Sequence, residues 1–347
     1  MMYVNRLKKL EVRLLNFKTM KATAVAPSNI AFIKYWGKRD EDLRIPLNSS
    51  ISMNLSNLTT ETTVEFSEKF EKDEVLIDGI FDIQVAKRVV GHLDRVRKLA
   101  GIKSRAKVIS KNNFPASTGL SSSASGFAAL TLAATAACGL QLSEKELSIL
   151  ARKGSGSACR SIPDGFVEWI AGNSDETSYA KSIFPVNWWD IVDIVCILSC
   201  KPKEIPTSIG QRYVSTSPFM ITRLKKINNK IKLVKKYIAN RDFTRFGEIV
   251  EHEALELHAI MMTSYPSLIY LYPESINLIN SIYRLREEGL ECYFTINTGH
   301  NLHIICLRKD IEKVTTKSHD LVLKDLIINE SSIGVRLNQN YLDLQQT

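Results

Sequence analysis

Three short stretches of the 347-residue chain hold residue types suited to gripping anions, each where the backbone can approach a ligand closely. The longest, Phe114-Pro-Ala-Ser-Thr-Gly-Leu-Ser-Ser-Ser-Ala-Ser-Gly126, follows a predicted strand and opens an apolar helix. Its small residues admit a ligand to the main chain, and the helix-start amides with the hydroxyls of Ser121, Ser122 and Ser123 beyond Gly119 offer donors to a phosphate. A Gly/Ser linker has similar composition, but linkers do not usually run straight from a strand into an apolar helix. No Gly-Lys-Ser/Thr closes the stretch, so it is not a Walker loop. In the second stretch, Ala26 to Asp40 (APSNIAFIKYWGKRD), Lys34 lies inside an apolar run, where a charge needs an anionic partner. Lys38 and Arg39 follow; a strand end with ordinary surface charge is the other reading. The third, Lys153-Gly-Ser-Gly-Ser-Ala-Cys-Arg160, again permits close backbone approach at Ser155 and Ser157, and Arg160 can hold a carboxylate or phosphate bidentately. Alone it fits a helix-ending loop with a surface Arg equally well. Three candidate anion sites in one chain weigh more than any one of them.

The elements that must position these stretches alternate between strand and helix periodicity, without an internal repeat. A strand at Thr23–Val25, a polar loop at Pro27–Asn29 and an apolar run at Ile30–Trp36 come first. Strands at Ser49–Leu55 and Thr59–Phe66 are expected to pair with each other, and Val75–Ile80 to turn at Asp78-Gly79. A helix at Ile83–Ala100 ends on Gly101, a strand covers Ala106–Ser110, and helices cover Gly126–Ala137 and Ser143–Lys153, the last opened by a capping box. After residue 190 come a strand at Ile191–Ser199, a loop at Lys201–Gly210, a basic helix at Ile221–Asn240, helices at Phe243–Met262 and Glu274–Glu288, and strands at Tyr293–Ile296 and His303–Leu307. The pattern reads as α/β or α+β in two lobes, 21–190 and 191–347, behind a basic extension at 1–20. Residues 1–19 read either as an amphipathic helix or as a segment ahead of a natural start at Met20.

Composition narrows the function classes. The chain is 44% hydrophobic and 24% charged, which excludes a disordered tail, a collagen-like repeat and a disulfide miniprotein. Its 46 Lys plus Arg against 37 Asp plus Glu give +9, compatible with nucleic acid, an anionic membrane or small phosphorylated ligands. The helix at 221–240 holds seven basic residues and no acidic one, but no aromatic-interleaved basic motif accompanies it, so a solvated face is expected rather than a nucleic-acid surface. No apolar run reaches the roughly 18–20 residues of a membrane span. Six Cys without a CxxC pair point to free buried thiols, and the N-terminus lacks a signal core, so the expected location is cytoplasmic. His252-Glu253-Ala-Leu-Glu256 lacks the second His of a zincin helix, and His300 and His303 lack ligand-spaced partners, so no metal site is expected. Trp188-Trp189 reads as a core or lobe-interface anchor.

Taken together, APSNIAFIKYWGKRD, Asn48-Ser-Ser-Ile-Ser52, PASTGLSSSASG, GSGSACRS with GFVEW, and His258-Ala259 stand in the order and spacing of a known family. The chain resembles the mevalonate-pathway decarboxylases of the GHMP kinase superfamily over most of its length. The resemblance implies an α+β fold in two lobes, the first with ribosomal-protein-S5-like βαβ topology and the second ferredoxin-like. It also implies a homodimer and a phosphorylated mevalonate in the cleft. In that family ATP phosphorylates the 3-hydroxyl, and the new phosphate leaves as the carboxylate departs as carbon dioxide. By this resemblance Lys34 and Arg160 neutralise the substrate's anionic groups. Tyr35, Lys38, Ser155, Ser157 and Ser208 contact the substrate, and Gly119, Ser121, Ser122 and Ser123 form the phosphate loop.

One position departs from the family. Where its Asp-Ala-Gly-Pro-Asn motif places the base facing the 3-hydroxyl, this chain reads Asn297-Thr-Gly-His-Asn301. A carboxamide orients and hydrogen-bonds but has no useful basicity. The expectation is therefore a branch whose substrate arrives already phosphorylated: mevalonate 3,5-bisphosphate going to isopentenyl phosphate, carbon dioxide and phosphate, with no ATP or other cofactor required. Asn297, Lys34 and Arg160 are its catalytic trio. The alternative is an ATP-dependent diphosphomevalonate or phosphomevalonate decarboxylase, with ATP and magnesium, in which His300 serves as base. A mevalonate 3-kinase fits less well because Lys34 and Arg160 are retained, as does a non-catalytic anion- or nucleic-acid-binding relative.

Overall fold

The computed structural model describes residues 20–115, 119–201, 204–319 and 325–342. The extension at 1–19 and residues 116–118 of the Ser-rich stretch lie outside these. The chain forms β1 (Lys21–Ile33), β2 (Lys38–Asp40), β3 (Ile45–Pro46), β4 (Ser50–Ser67), β5 (Glu74–Ile77), α1 (Ile83–Ala100) and β6 (Arg105–Asn112). There follow α2 (Ser122–Ala137), α3 (Glu144–Gly154), β7 (Phe166–Ile170) and β8 (Tyr179–Phe184). A second run holds β9 (Ile191–Ile197), α4 (Thr207–Gly210), α5 (Met220–Asn240), α6 (Phe243–Met262) and α7 (Pro273–Glu287). It ends with β10 (Tyr293–Thr295), β11 (Leu302–Leu307), α8 (Ile311–His319), β12 (Asp325–Glu330) and β13 (Arg336–Asn338).

Two sheets organise these elements. The first has seven strands: β13, β1, β4, β6 and β5 side by side, with β7 and β8 continuing from the other half of β4. β5 and β6 run parallel through α1, a βαβ unit. The second has four strands in the order β10-β11-β9-β12. β13 returns from the far end of the chain to pair with β1, Thr23 opposite Asn338.

Local sequence explains the helix ends. The Asp82 carboxylate accepts from the amides of Gln84 and Val85, starting α1, and Gly101 ends it at φ 68°, the left-handed region that glycine tolerates. Ser143 and Glu146 form the expected capping box of α3. α2 is apolar on every side and mostly buried, and the Thr135 hydroxyl donates back to the Thr131 carbonyl, so its polar groups stay satisfied. It starts at Ser122, a full turn before Gly126, so Ser122 and Ser123 belong to the helix's first turn.

Two strand expectations fail for one reason. Pro27–Asn29 is not a loop: β1 runs through it, slipping register against β4 between Pro27 and Asn29. A bulge is where a strand accommodates a proline that cannot donate to the ladder. Nor do Ser49–Leu55 and Thr59–Phe66 pair together; they are the two halves of β4, each paired with its own half of β1. The polar residues that suggested turns point inward, with Ser28 and Asn54 fully buried.

The core runs between the lobes. Ile30 and Phe32 of β1, Met53 of β4 and Phe166 of β7 join Val195, Ile305 and Tyr293 of the second sheet, with Phe246 and Val250 of α6 between them. Trp189 packs edge-on against Phe243 and Phe246, and Trp188 Nε1 donates to the Ile238 carbonyl, so this pair anchors the core. The basic helix α5 is less solvated than expected. Arg223 is buried, and Lys230 and Lys235 bind Glu253 and Glu168 at 2.9 Å each. All six Cys are free thiols, with only Cys200 exposed. Among the described residues no helix is long and apolar enough to cross a membrane.

Candidate active site

A cavity of about 230 Å³ lies between the lobes, where the ends of β1, α2 and the Gly156–Ser161 turn face α4 and the loop after β10. All twelve expected site residues line it. Lys34, Tyr35 and Lys38 come from the first stretch; Gly119, Ser121, Ser122 and Ser123 from the second; Ser155, Ser157 and Arg160 from the third; Ser208 and Asn297 from the second lobe. Five cationic side chains line the wall, since Arg44 and Arg88 join Lys34, Lys38 and Arg160, and no described lining residue is Asp or Glu. Such a wall calls for a ligand carrying several negative charges.

Lys34 follows directly on β1 and is held from every side. Its amide donates to Glu253 Oε1 at 3.0 Å, and its carbonyl accepts from Asn48 Nδ2 at 2.9 Å and Arg223 Nη2 at 3.0 Å. Its Nζ donates to Thr295 Oγ1 at 2.7 Å and to Asn297 Oδ1 at 3.2 Å. Burial pulls the Lys34 ammonium down to about 7; Glu253 opposes this, Arg160 adds to it, and Asp193 and Arg223 offset each other in sign. Glu253 sits behind it in ion pairs with Arg223 and Lys230. Burial opposes the charge on Glu253, but those two cations outweigh it and hold its carboxyl below the usual range.

Arg160 is buried over Trp169, with 5.9 Å from guanidinium to ring centroid. Nε and Nη2 donate to Asn29 Oδ1, and Nη1 to Ser50 Oγ at 2.7 Å. No described carboxylate pairs with it, and burial lowers its affinity for a proton. A buried cation held by neutral groups is set up to meet an anion from the cavity. Tyr35 packs edge-on to Trp169, and Gly156 is why it fits: a Cβ there would meet the Tyr35 ring at 2.9 Å.

The Ser-rich stretch reaches the second lobe through glycine. Gly119 has φ +98°, and a Cβ on it would stand 3.0 Å from Gly299 Cα, so backbone meets backbone across the cleft. This puts Ser121, itself left-handed at φ 61°, within reach of Asn297, whose Nδ2 donates to Ser121 Oγ at 3.3 Å. His258 Nε2 meets the Asn297 carbonyl at 3.1 Å, and burial, then Lys34, lowers this imidazole to about 4. It is therefore neutral and donates to that carbonyl. Ser155 Oγ donates to Ser123 Oγ at 3.2 Å, tying two of the stretches together.

His300 does not serve as the base considered for the ATP-dependent alternative. Its Nε2 meets the Ser199 carbonyl at 2.9 Å, its ring stacks on Tyr272, and it does not line the cavity. Sequence reading missed Arg44, Arg88 and Gln211, which also line the wall. Arg44 Nε donates to the Lys153 carbonyl, and Arg88 stands 5.0 Å over the Phe127 ring. Each sits among ordinary charged and polar neighbours (Arg44 after Asp40-Glu41-Asp42, Arg88 after Lys87, Gln211 before Arg212), so no local pattern marks it as a cleft residue.

A second cavity, of about 160 Å³, adjoins the first, and Arg88, Ser122 and Ser123 line both. Its exposed wall is mostly apolar, with Ile77, Val85, Val89, Phe127 and Leu130, and Thr60, Thr62, Ser110 and Asn112 add polar groups. Two lobes, a βαβ unit and a Ser-rich helix start facing an anion cleft define the GHMP kinase fold. Within it the chain belongs to the diphosphomevalonate decarboxylase family, a family of carboxy-lyases. The family model described as diphosphomevalonate decarboxylase-like N-terminal domain matches residues 26–180. The mevalonate 5-diphosphate decarboxylase C-terminal domain matches 193–337. The diphosphomevalonate decarboxylase of Candida albicans is 36% identical over 84% of this chain and 86% of its own. The mevalonate diphosphate decarboxylase of Enterococcus faecalis, from work on its ATP binding mechanism, superposes with a TM-score of 0.86 at 36% identity, over 92% of this chain and 99% of its own. A structure described as MDDEF in complex with MVAPP, AMPPCP and magnesium superposes with a TM-score of 0.88 at 37% identity, over 92% and 99%. These relatives overturn the expectation of an ATP-independent bisphosphate branch needing no cofactor. An ATP analogue and magnesium occupy a close structural neighbour, and Asn297 does not by itself mark a chain that has given up ATP.

Proposed function

We propose that the protein converts mevalonate 5-diphosphate and ATP to isopentenyl diphosphate, carbon dioxide, phosphate and ADP. The substrate 3-oxygen forms a bond to the γ-phosphorus as the bond to the β-phosphate oxygen breaks. The new phosphate then leaves carbon 3 with its bonding electrons, while those of the bond to the carboxylate become the carbon–carbon double bond. The observation that carries this reading is the pair of joined cavities: a cationic cleft that opens through Arg88, Ser122 and Ser123 into an apolar pocket. A nucleoside in the apolar pocket would lay its phosphates along the start of α2 toward the substrate.

In this reading Gly119, Ser121, Ser122 and Ser123 cradle the nucleotide phosphates, and Tyr35, Lys38, Ser155, Ser157 and Ser208 hold the substrate diphosphate. Arg160 and Lys34 face the carboxylate and the 3-oxygen, where charge shifts during the reaction, and Asn297 orients Lys34. Among the described residues no cluster of three or more His, Cys, Asp or Glu is placed to hold a metal. Magnesium would enter with the nucleotide phosphates, keeping several waters as it does at such sites. A homodimer and a cytoplasmic location belong to the same reading.

The test compares mevalonate 5-diphosphate with the 5-phosphate, each supplied with ATP and magnesium. Isopentenyl diphosphate formed with the higher kcat/KM supports the proposal. Preference for the monophosphate, or product without ATP, overturns it.

A further inference from the structure

We propose that Lys34 takes the proton of the substrate 3-hydroxyl, and that Asn297 is what leaves its amine free to do so. The inference rests on the ATP-dependent reading and deepens it, because phosphoryl transfer to an alcohol requires a destination for the hydroxyl proton.

The geometry singles out Lys34. No described carboxylate lines the cleft, His300 is turned away, and His258 spends its Nε2 on the Asn297 carbonyl. Lys34 Nζ makes two hydrogen bonds, to Thr295 Oγ1 and Asn297 Oδ1. A neutral amine has two N–H bonds, and these two acceptors use both, leaving the lone pair as the remaining direction from Nζ. Charged groups approach from every packed element. Arg160 on the Gly156–Ser161 turn and Arg223 on α5 disfavour a proton on Nζ, whereas Glu253 on α6 and Asp193 on β9 favour one. His258 on α6 is neutral. Burial outweighs these charges, and the amine is poised at about 7.

A carboxylate at position 297 would accept from Nζ at the same distance and hold Lys34 as a buried ion pair. The carboxamide accepts the hydrogen bond without stabilising the charge. The residue that removes one base therefore creates another. In the transfer step the substrate O–H bond breaks and an N–H bond forms on Nζ. The oxygen bonds to the γ-phosphorus of the nucleoside triphosphate, and the diphosphate leaves with the electron pair. Lys34 is then an ammonium beside the newly phosphorylated oxygen, where a cation assists departure of phosphate.

The test pairs a titration of the free protein with pH profiles. The full chain labelled with [ε-13C]lysine is followed by NMR, with the Lys34 resonance assigned by its loss in Lys34→Arg. The expected result is a Lys34 midpoint near neutrality in the wild type, raised in Asn297→Asp. In parallel, kcat/KM with mevalonate 5-diphosphate and ATP should fall about tenfold per pH unit below that midpoint. In Asn297→Asp this acid limb should move to lower pH as a carboxylate takes over. Lys34→Arg, always charged, should lose at least about a hundredfold in rate, the scale of general base catalysis. Lys34 charged up to alkaline pH, an acid limb unmoved by Asn297→Asp, or an active Lys34→Arg variant overturns the inference while leaving the ATP-dependent reaction in place. A wild type that forms no product with ATP at any pH overturns both.

Discussion

Lys34 and Asn297 come from opposite lobes and meet through one hydrogen bond, Nζ to Oδ1 at 3.2 Å. The residue directly after the first strand supplies the amine and the loop after β10 the amide, so docking of the two lobes assembles the reacting centre. Everything near the bond serves it. Glu253, Asn48 and Arg223 fix the Lys34 main chain, while His258 and Ser121 fix Asn297.

Arg160 is the cation expected to matter most for binding charge at the transition state. Arg160→Ala removes one partner of a desolvated contact, worth roughly 2–5 kcal/mol, so kcat/KM should fall by about 30-fold to a few thousandfold. Steady-state kinetics beside a thermal melt separate this from unfolding. A loss below about tenfold with the melt unchanged contradicts the assignment.

Gly119 and Gly139 separate backbone strain from lobe contact. Both have positive φ, but a Cβ meets Gly299 only at Gly119 and nothing within 4 Å at Gly139. Each Ala variant should lose roughly 1–3 kcal/mol of stability to strain. Only Gly119→Ala should also raise the KM for ATP, because it pushes the Ser-rich helix start away from the second lobe. Equal kinetics in the two variants would count against that contact.

Glu253 tests the support behind Lys34. Glu253→Gln leaves Arg223 buried with one carboxylate fewer and should cost about 3–5 kcal/mol at neutral pH, read from denaturant unfolding. The carboxyl is depressed in the folded state, so its contribution is present above the unfolded carboxyl value of about 4.3 and is lost as pH falls through the lower folded value. The gap between wild type and variant should therefore close in acid. A gap independent of pH would place the stabilisation in shape rather than charge.

Gly126 lines the apolar cavity, and a Cβ there meets nothing within 4 Å. Gly126→Leu should fill that space, raise the KM for ATP about tenfold or more, and leave the KM for mevalonate 5-diphosphate alone. Stability should hold or rise, since a helix-interior Gly gives up roughly 0.8–1 kcal/mol. A calorimetric titration with a non-hydrolysable ATP analogue measures the effect without turnover, and unchanged affinity would move the nucleoside elsewhere.

The cleft was legible where its chemistry sits in continuous segments. Lys34 in an apolar run, serines at a helix start and Arg160 after a Gly/Ser turn each announce themselves locally, and all line one cavity. Arg44 and Arg88 did not, because the turn between β2 and β3 and the face of α1 that carry them meet the cleft only in the folded chain. Pro27 and the polar middle of β4 misled because turn-forming residues also occur inside long, bulged strands when their side chains have buried partners. The largest error concerned Asn297. Loss of one basic atom at position 297 does not imply loss of the ATP step: Asn297 accepts a hydrogen bond from a lysine that burial holds near neutrality, something only the folded environment reveals.

The most direct test of the account is the ratio of ADP to carbon dioxide released from mevalonate 5-diphosphate. One ADP per carbon dioxide, with no carbon dioxide when ATP is left out, is the predicted result. Carbon dioxide released without ATP, or ADP formed without carbon dioxide, would contradict it.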